Sequence, residues 1–379
     1  MSVETITLGC RLNFAESASM ARQMPDDQDW VIVNSCAVTI EAVRQTRQAI
    51  RRARRESPQA RILAAGCAVK LEPDRFAAMP EVDEVRTRDF SAPLTVPAGV
   101  QRVRSFVGIQ IGCDHRCTFC SIWQARGPSR SSPFEAIRDA IAREIDRGAK
   151  EIVLTGVDIT DYEGGLGLLC RRLLDSDPRL HRLRLSSLDS IEIDEELLEL
   201  IAAEHRLMPH FHLSLQAGDD LILKRMKRRH SRADAVRAVE RIKAVRPDAT
   251  IGADMIAGFP TETEEMALKS LRLLDDCDVI AAHIFPFSPR PETPAARMPQ
   301  VEREIVKARA ARLRETAAAR RNAWLDSLIG TTQCVLIENR GKGHSDGFAP
   351  VLVEGAQRGD IRDVRITSRD GDHLIGASA

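Results

Sequence analysis

The sequence lacks an apolar run long enough to cross a membrane, and its first ten residues, MSVETITLGC, contain neither a basic start nor an apolar signal stretch. We therefore expect a chain with no membrane association that is not secreted and that works in the cytoplasm. Nine cysteines in such a chain argue against a disulfide framework and favour metal or redox use.

Net charge is also lacking, because 55 basic residues balance 55 acidic ones. The basic residues are nevertheless concentrated in blocks at 44–56, 224–232 and 307–321. Each block alone could be the solvated face of a helix, whereas several basic faces together could form a track for phosphates. Charge alone does not decide between these interpretations, because Lys and Arg read a nucleic-acid backbone and not its bases.

At 379 residues the chain is expected to hold two or three domains of overall α/β class. Residues 1–98 alternate continuous apolar runs with helical stretches, which predicts an N-terminal parallel α/β domain. Residues 101–325 repeat this alternation six times, which predicts a (βα)6 partial TIM barrel with its site at the C-terminal strand ends. Residues 326–379 contain short strand-like runs with Gly and Asp turns, which predicts a small C-terminal β-barrel-like module.

Three cysteines occupy equivalent places in the first domain, each just after a predicted strand: Cys10, Cys36 and Cys67. In an open parallel sheet those strand ends lie on one edge, so the three thiols should converge. A single cysteine at a strand end is often only a small buried residue. Three of them, one per βα unit, indicate a joint site.

The stretch GCDHRCTFCSIW at 112–123 places Cys113, Cys117 and Cys120 close together without a fourth cysteine. A C-x3-C-x2-C loop holds three irons of a [4Fe–4S] cluster and leaves the fourth iron open to a further ligand. Zinc is the main alternative, but it needs a fourth nearby Cys or His. His115 lies inside the loop, where we expect it to be too constrained to complete a tetrahedron.

This loop, which carries Phe119 before its last cysteine and follows the first strand of a partial barrel, resembles that of radical S-adenosylmethionine enzymes. The resemblance implies that S-adenosyl-L-methionine chelates the open iron and is cleaved to a 5′-deoxyadenosyl radical. The cofactors would carry the difficult chemistry, while the barrel positions and shields it.

The whole chain resembles the methylthiotransferases of that superfamily, through motifs that occur in the same order: GCRLN, VNSCAVT, AAGC, ARGPSRS, KEIVLTGVDI, RLSSLDS, HLSLQAGDD, LKRMKRRH, DMIAGFPTETEE and FPFSPRPETPAA. The terminal GHSDGFAPVLV resembles the TRAM module, an RNA-binding β-barrel. The resemblance implies a second [4Fe–4S] cluster on Cys10, Cys36 and Cys67 that handles the incoming sulfur. It also implies three partners: a tRNA anticodon stem-loop, an electron donor such as flavodoxin or ferredoxin, and a sulfur donor.

Polar residues at barrel strand ends are favoured ligand contacts. The candidates for the S-adenosylmethionine pocket are Phe119, Asp158, Ser187, Gln216, Arg225 and Gly258. Each polar candidate alone could instead be a helix cap or a loop hydrogen bond, and Gly258 would let the backbone approach the adenine. Trp123 is either a wall of this pocket or ordinary packing. We interpret the cysteines outside the cluster motifs as structural: Cys170, Cys277 and Cys334.

The residue at position 11 bears on the substrate. Family members acting on N6-threonylcarbamoyladenosine 37 of tRNA usually carry Arg here, those acting on isopentenyladenosine 37 carry Gln, and those acting on a ribosomal protein aspartate carry Pro. Arg11 could hold the threonylcarbamoyl carboxylate bidentately, or it could only tune the adjoining Cys10 ligand. The expected enzyme is a transferase in tRNA modification that methylthiolates C2 of N6-threonylcarbamoyladenosine. One S-adenosylmethionine would be the methyl donor and another the radical source.

A plain iron–sulfur electron carrier is the alternative from another functional class. Such a carrier would need neither a six-unit barrel nor an RNA-binding module, whereas an RNA-modifying radical enzyme needs both.

Overall fold

The computed structural model describes residues 2–87 and 103–378. The expected boundary between the first two domains, at 98–101, lies outside the described residues. No helix in the described part of the chain is long and apolar enough to cross a membrane.

The first domain is a parallel sheet flanked by helices. Its strands lie in the order of the sequence, with all neighbouring pairs parallel: β1 Val3–Thr7, β2 Trp30–Ser35, β3 Arg61–Gly66 and β4 Glu84–Arg86. The helices are α1 Arg11–Ala21, α2 Ile40–Glu56, α3 Cys67–Leu71 and α4 Pro73–Ala77. α3 and α4 are separate helices, because Glu72 precedes a proline and leaves the helical region with φ −131°.

The central part is an arc of parallel strands. Its strands are β5 Arg104–Gly108, β6 Gln110–Ile111, β7 Arg130–Ser131, β8 Glu151–Thr155, β9 Leu183–Leu185, β10 Ser187–Leu188, β11 His210–Gln216, β12 Thr250–Ala257 and β13 Val279–Pro286. The order β5-β8-β9 continues through Ser186 into β10-β11-β12-β13, while β6 and β7 form a separate antiparallel pair. With β9 and β10 as one interrupted strand, six parallel strands form the arc, which confirms the partial barrel.

Helices connect these strands: α5 Ile122–Arg126, α6 Phe134–Asp146, α7 Leu166–Ser176, α8 Glu195–Ala203, α9 Asp220–Met226, α10 Arg232–Val245, α11 Glu264–Asp276 and α12 Arg303–Ser327. Most of them cover the outer face of the arc, whereas α5 packs against the first domain and α9 belongs to a separate apolar cluster. The expected start of the last domain, at 326, falls inside the final turn of α12. The last 50 or so residues form a closed barrel in the order β14-β15-β16-β18-β17. Its strands are β14 Thr332–Asn339, β15 Lys342–Ser345, β16 Pro350–Val353, β17 Ile361–Asp370 and β18 His373–Ser378.

Side chains on the central strands alternate between an apolar outer face and a polar inner face. Val107, Leu154 and Leu213 belong to the main hydrophobic core between strands and helices. Because successive strand residues point to opposite faces, their neighbours point into the lumen of the arc. This inner set includes Arg104, Phe106, Glu151, Arg184, His210, His212, Asp254 and His283. The lumen is therefore polar and charged where the outer core is apolar.

Candidate active site

The loop that carries Cys113, Cys117 and Cys120 is fixed at its start by a glycine. Gly112 has φ +79°, and a Cβ there would come 1.9 Å from the carbonyl oxygen of Pro128. The Cys113 amide donates to the carbonyl of Gly127 at 3.1 Å. The two passing backbones therefore leave no room for a side chain at 112.

The middle of the same loop is anchored to α9. Thr118 donates its amide to the carbonyl of Met226 at 3.0 Å and its hydroxyl to the carbonyl of Arg225 at 2.7 Å. Arg228, just beyond α9, places its guanidinium 3.8 Å from Cys117 Sγ. The three cysteines thus lie at the C-terminal ends of the barrel strands in a loop that is held from two sides.

The second cysteine set meets at the edge of the first sheet. Cys36 and Cys67 directly follow β2 and β3, and Cys10 follows β1 by three residues. A Cβ on Gly9, which has φ +103°, would lie 2.9 Å from Cys36 Sγ, so the backbone before Cys10 touches the second cysteine. The charges of Cys10 and Cys36 also act on the pKa of Cys67. The structure therefore brings together the three thiols that the strand pattern grouped.

Arg126 connects the two cysteine sets. It ends α5, which follows the Cys113–Cys120 loop, and its side chain is buried in the first domain. Its guanidinium donates to Cys67 Sγ at 3.2 Å, to Glu16 Oε1 at 2.6 Å and to Asn13 Oδ1 at 2.7 Å. The sequence pattern marked this arginine only as part of a motif, since its partners lie 59 to 113 residues away.

The protonation state of the buried cysteine thiols depends on whether metal is bound. Burial raises the pKa of the Cys67 and Cys113 thiols to about 12 and that of Cys120 to about 11. Free thiols would therefore be protonated at neutral pH, and metal binding would release those protons. Grouped soft thiolates are the ligands that iron–sulfur clusters require.

The distances between ligand atoms distinguish a site for an iron–sulfur cluster from a site for a single zinc ion. Ligands about 2.3 Å from one zinc must lie within about 4.6 Å of one another. Among the described residues, neither cysteine triad has this spacing. Cys113, His115 and Asp158 do have ligand atoms within 4.8 Å of one another, but this group includes only one of the three loop cysteines. His115 Nε2 lies 2.8 Å from Asp158 Oδ2, which gives the imidazole a partner without metal.

A buried charge network stands beside the Cys113–Cys120 loop. Asp189, just after β10, pairs with Arg228 at 2.8 Å and lies 3.8 Å from His115. Burial would raise the pKa of Asp189, but His230 and Arg228 lower it to about 2. The expected site residues did not include Asp189, although the strand-end rule that selected Asp158 applies to it equally. Arg228 was expected only as part of a basic block.

The other expected pocket residues lie at the same end of the arc. Phe119 contacts Phe259 edge-to-face with ring centres 6.4 Å apart. Gln216 ends β11 with φ +65°, and Ser187 neighbours His212 in the strand register. The Arg225 guanidinium lies 3.5 Å from the carbonyl of Thr261.

Two expected pocket residues have packing roles. Gly258 has φ +71°, and a Cβ there would lie 2.5 Å from Val306 of α12, so close helix packing already explains this glycine. The ring of Trp123 lies under the guanidinium of Arg116 at 5.5 Å.

Arg11 directly follows Cys10, and its guanidinium lies over the ring of Phe106 at 5.4 Å. Burial lowers the pKa of its guanidinium, and the nearby cations Arg104 and Arg184 lower it further. Across residues 2–87 and 103–378, Arg11 forms no ion pair with a carboxylate. Its guanidinium therefore has no direct carboxylate partner among the described residues, and Glu151 and Glu338 act on it only through their charge, which raises its pKa.

Comparisons with known proteins agree with this arrangement. The radical SAM superfamily model matches residues 107–274, and the model described as uncharacterized protein family UPF0004 matches residues 2–86. The chain is 40% identical to the threonylcarbamoyladenosine tRNA methylthiotransferase MtaB of Rickettsia prowazekii (strain Madrid E), covering 93% of this chain and 91% of the relative. It is 32% identical to MtaB of Thermotoga maritima, covering 100% and 97%.

A relative with a different name is also similar. The chain is 31% identical to the tRNA-2-methylthio-N(6)-dimethylallyladenosine synthase of Ruegeria sp. (strain TM1040), covering 98% of this chain and 97% of the relative. Among solved structures, the radical S-adenosylmethionine methyltransferase TsrM of Kitasatospora setae aligns with a TM-score of 0.54 at 15% identity, over 75% of this chain and 67% of that chain. This structural likeness shows the fold alone.

Proposed function

The chain belongs to the radical S-adenosylmethionine methylthiotransferase family, and on that premise we propose that it transfers a methylthio group to C2 of N6-threonylcarbamoyladenosine 37 in tRNA. Relatives named for threonylcarbamoyladenosine reach 40% identity, whereas the relative named for dimethylallyladenosine reaches 31%. The alternatives, isopentenyladenosine and a ribosomal protein aspartate, are less well supported.

The observation that carries the choice of substrate is the unpaired Arg11 in a polar lumen. A largely desolvated guanidinium without a direct ion pair costs free energy, and the repulsion from Arg104 and Arg184 is only partly offset by the charges of Glu151 and Glu338. The carboxylate of a threonylcarbamoyl group would supply the missing anion. An apolar isopentenyl group would leave this cation and its polar neighbours without partners.

Cys113, Cys117 and Cys120 would hold one [4Fe–4S] cluster, and Cys10, Cys36 and Cys67 would hold a second. When bound, the first cluster and S-adenosyl-L-methionine supply radical chemistry at C2 of the adenine. The backbone packing at Gly112 fixes the start of the loop that carries the first three cysteines, and the hydrogen bond from Arg126 fixes Cys67. Phe119, Asp158, Ser187, Gln216, Arg225 and Gly258 remain the candidates for contact with S-adenosylmethionine, at the strand ends beside the first cysteine set.

The RNA would lie across the basic faces. On α2, Arg52 and Arg55 are exposed, and the residues of 224–232 lie close to the Cys113–Cys120 loop through Arg228 and Arg229. Together with the closed barrel at the C-terminus they would contact phosphates of an anticodon stem-loop, whose unstacked base 37 can enter the arc.

We assign residues 1–98 to the methylthiotransferase N-terminal domain, 101–325 to the radical domain and 326–379 to the TRAM-like module. A flavodoxin or ferredoxin and a sulfur donor, in the cytoplasm, complete the proposed system.

The test is an anaerobic assay of the reconstituted holoenzyme with two anticodon stem-loops, one carrying N6-threonylcarbamoyladenosine 37 and the other isopentenyladenosine 37. We expect methylthiolation of the first only. The variant Arg11→Gln should raise KM for that substrate by at least ~30-fold, because losing one partner of a buried charge pair costs about 2 kcal/mol or more. Equal activity on both stem-loops, or an unchanged KM in Arg11→Gln, would contradict the proposal.

A further inference from the structure

A trio of side chains on neighbouring strands lines the lumen apart from both cysteine sets. His212, Asp254 and His283 lie on β11, β12 and β13, with Asp254 and His283 directly paired in register. His212 Nε2 and His283 Nδ1 lie 3.0 Å and 3.1 Å from the same Asp254 oxygen, Oδ1. The two imidazole rings are 4.8 Å apart.

A glycine makes room for this arrangement. Gly252 pairs with His212 in register, and a Cβ at 252 would lie 2.5 Å from His212 Nδ1. Any larger residue would displace the imidazole from Asp254. The absence of a side chain at position 252 therefore leaves the space that the imidazole of His212 occupies beside Asp254.

The trio presents an anionic acceptor. Burial would raise the pKa of Asp254, but the nearby imidazoles of His212 and His283 hold it below its usual range, so the carboxylate is ionised at neutral pH. In the part of the chain that the structure describes, Oδ2 of Asp254 accepts no hydrogen bond. A carboxylate oxygen only accepts, so it is suited to an O–H or N–H donor.

A metal ion is a weaker interpretation of the same residues, although their ligand atoms lie within 4.8 Å of one another. His283 Nδ1 hydrogen-bonds to Asp254 Oδ1 at 3.1 Å, whereas His212 Nε2 lies 3.0 Å from the same oxygen without the geometry of a hydrogen bond. Metal ligation would instead aim three lone pairs at a common empty point. The contact between His283 and Asp254 is that of a donor supporting an acceptor, and His212 adds a close polar neighbour.

The trio and Arg11 belong to the same lumen. His210 lies two residues before His212 on the same face of β11, and its pKa is lowered by burial and by the nearby Arg184, His212 and Arg11. One wall of the lumen therefore offers an unpaired cation and another offers an anionic acceptor. A ligand that carries both a carboxylate and a hydroxyl offers a partner to each.

We propose that Asp254, supported by His212 and His283, accepts a hydrogen bond from the threonyl hydroxyl of the substrate while Arg11 holds its carboxylate. The inference rests on the proposed function and adds a second point of recognition to it. The trio is thus a specificity-determining site for a β-hydroxy acid group.

The test compares two anticodon stem-loops in the reconstituted holoenzyme, one with N6-threonylcarbamoyladenosine 37 and one with N6-glycinylcarbamoyladenosine 37, which keeps the carboxylate and lacks the hydroxyl. We expect the unaltered enzyme to prefer the threonyl substrate by about 10- to 100-fold in kcat/KM, the range for a hydrogen bond to a charged group. In Asp254→Asn this preference should fall about tenfold, and in His283→Phe it should also fall. His205→Gln is the matched control, since the His205 side chain is 90% exposed outside the lumen.

The outcomes distinguish a failure of the proposed function from a failure of the role assigned to the trio. Activity on isopentenyladenosine 37 without activity on either carbamoyl substrate would remove the proposed function itself. Activity on both carbamoyl substrates with equal kcat/KM would overturn only the role of the trio, as would a preference that survives both lumen variants. Stoichiometric zinc in the purified holoenzyme that is lost in Asp254→Asn would overturn it too.

Discussion

Arg126 offers a direct test of how the two cysteine sets are joined. We predict that Arg126→Met lowers the free energy of unfolding by about 3–5 kcal/mol, because one partner of a buried ion pair disappears and Glu16 stays behind as an uncompensated charge. Both side chains of this pair are only 2% exposed, so water cannot replace the lost partner. The Asn13 oxygen and Cys67 Sγ lose the same donor, so their losses overlap with this figure and are not added to it.

The assay is denaturant unfolding of the anaerobically purified protein together with iron analysis. Loss of the hydrogen bond to Cys67 should also reduce the iron retained on the first domain. Arg44→Met is the matched control, because Arg44 and Glu41 form an exposed helix-surface pair whose side chains are 60% and 52% exposed. Such pairs contribute about 0–1 kcal/mol.

A double variant tests whether the uncompensated charge of Glu16 causes the loss of stability. Changing Glu16→Gln in the Arg126→Met background removes the uncompensated charge and should recover a large part of the lost stability. If Arg126→Met unfolds like the unaltered protein, or if the double variant recovers nothing, the buried pair does not join the domains as described.

Further predictions concern the first cysteine loop and the buried acid beside it. Anaerobic reconstitution should give about eight irons per chain, and replacing the three loop cysteines by alanine should remove about half of the iron and abolish reductive cleavage of S-adenosylmethionine. Full iron retention in that triple variant, Cys113→Ala/Cys117→Ala/Cys120→Ala, would contradict the ligand assignment. The pKa of Asp189 is lowered from 3.8 to about 2, so the stability it contributes is complete above pH 4 and is lost as the pH falls from about 4 to 2. Asp189→Asn should therefore show a fall in unfolding free energy between pH 4 and 2 that is smaller by about 2 kcal/mol, and an unchanged pH profile would be inconsistent with the ion pair to Arg228.

The sequence pattern predicted the architecture and the grouping of the cysteines for a clear physical reason. Apolar strand runs separated by helices require a parallel sheet, and parallel strands bring their C-terminal ends to one edge. The positions of Cys10, Cys36 and Cys67 after successive strands therefore predicted their convergence. Only the order of strands along the chain was needed.

The polar contacts could not be predicted in the same way. The Arg126–Glu16 pair joins residues from two domains, and no local periodicity encodes such a partner. The polar inner face of the arc could be predicted in part from the sequence, since charged residues and histidines alternate with leucines in RLRLSS and HFHLSLQ. That alternation predicts a polar face but does not reveal that His212, Asp254 and His283 meet there, because the meeting depends on register between three strands.

The most direct test of the proposed activity is mass spectrometry of tRNA nucleosides from a strain in which the gene for this chain is deleted. We predict that 2-methylthio-N6-threonylcarbamoyladenosine disappears, that N6-threonylcarbamoyladenosine accumulates in its place, and that a plasmid copy of the gene restores the modified nucleoside. Persistence of 2-methylthio-N6-threonylcarbamoyladenosine together with loss of 2-methylthio-isopentenyladenosine would contradict the account and assign the enzyme to the other tRNA substrate.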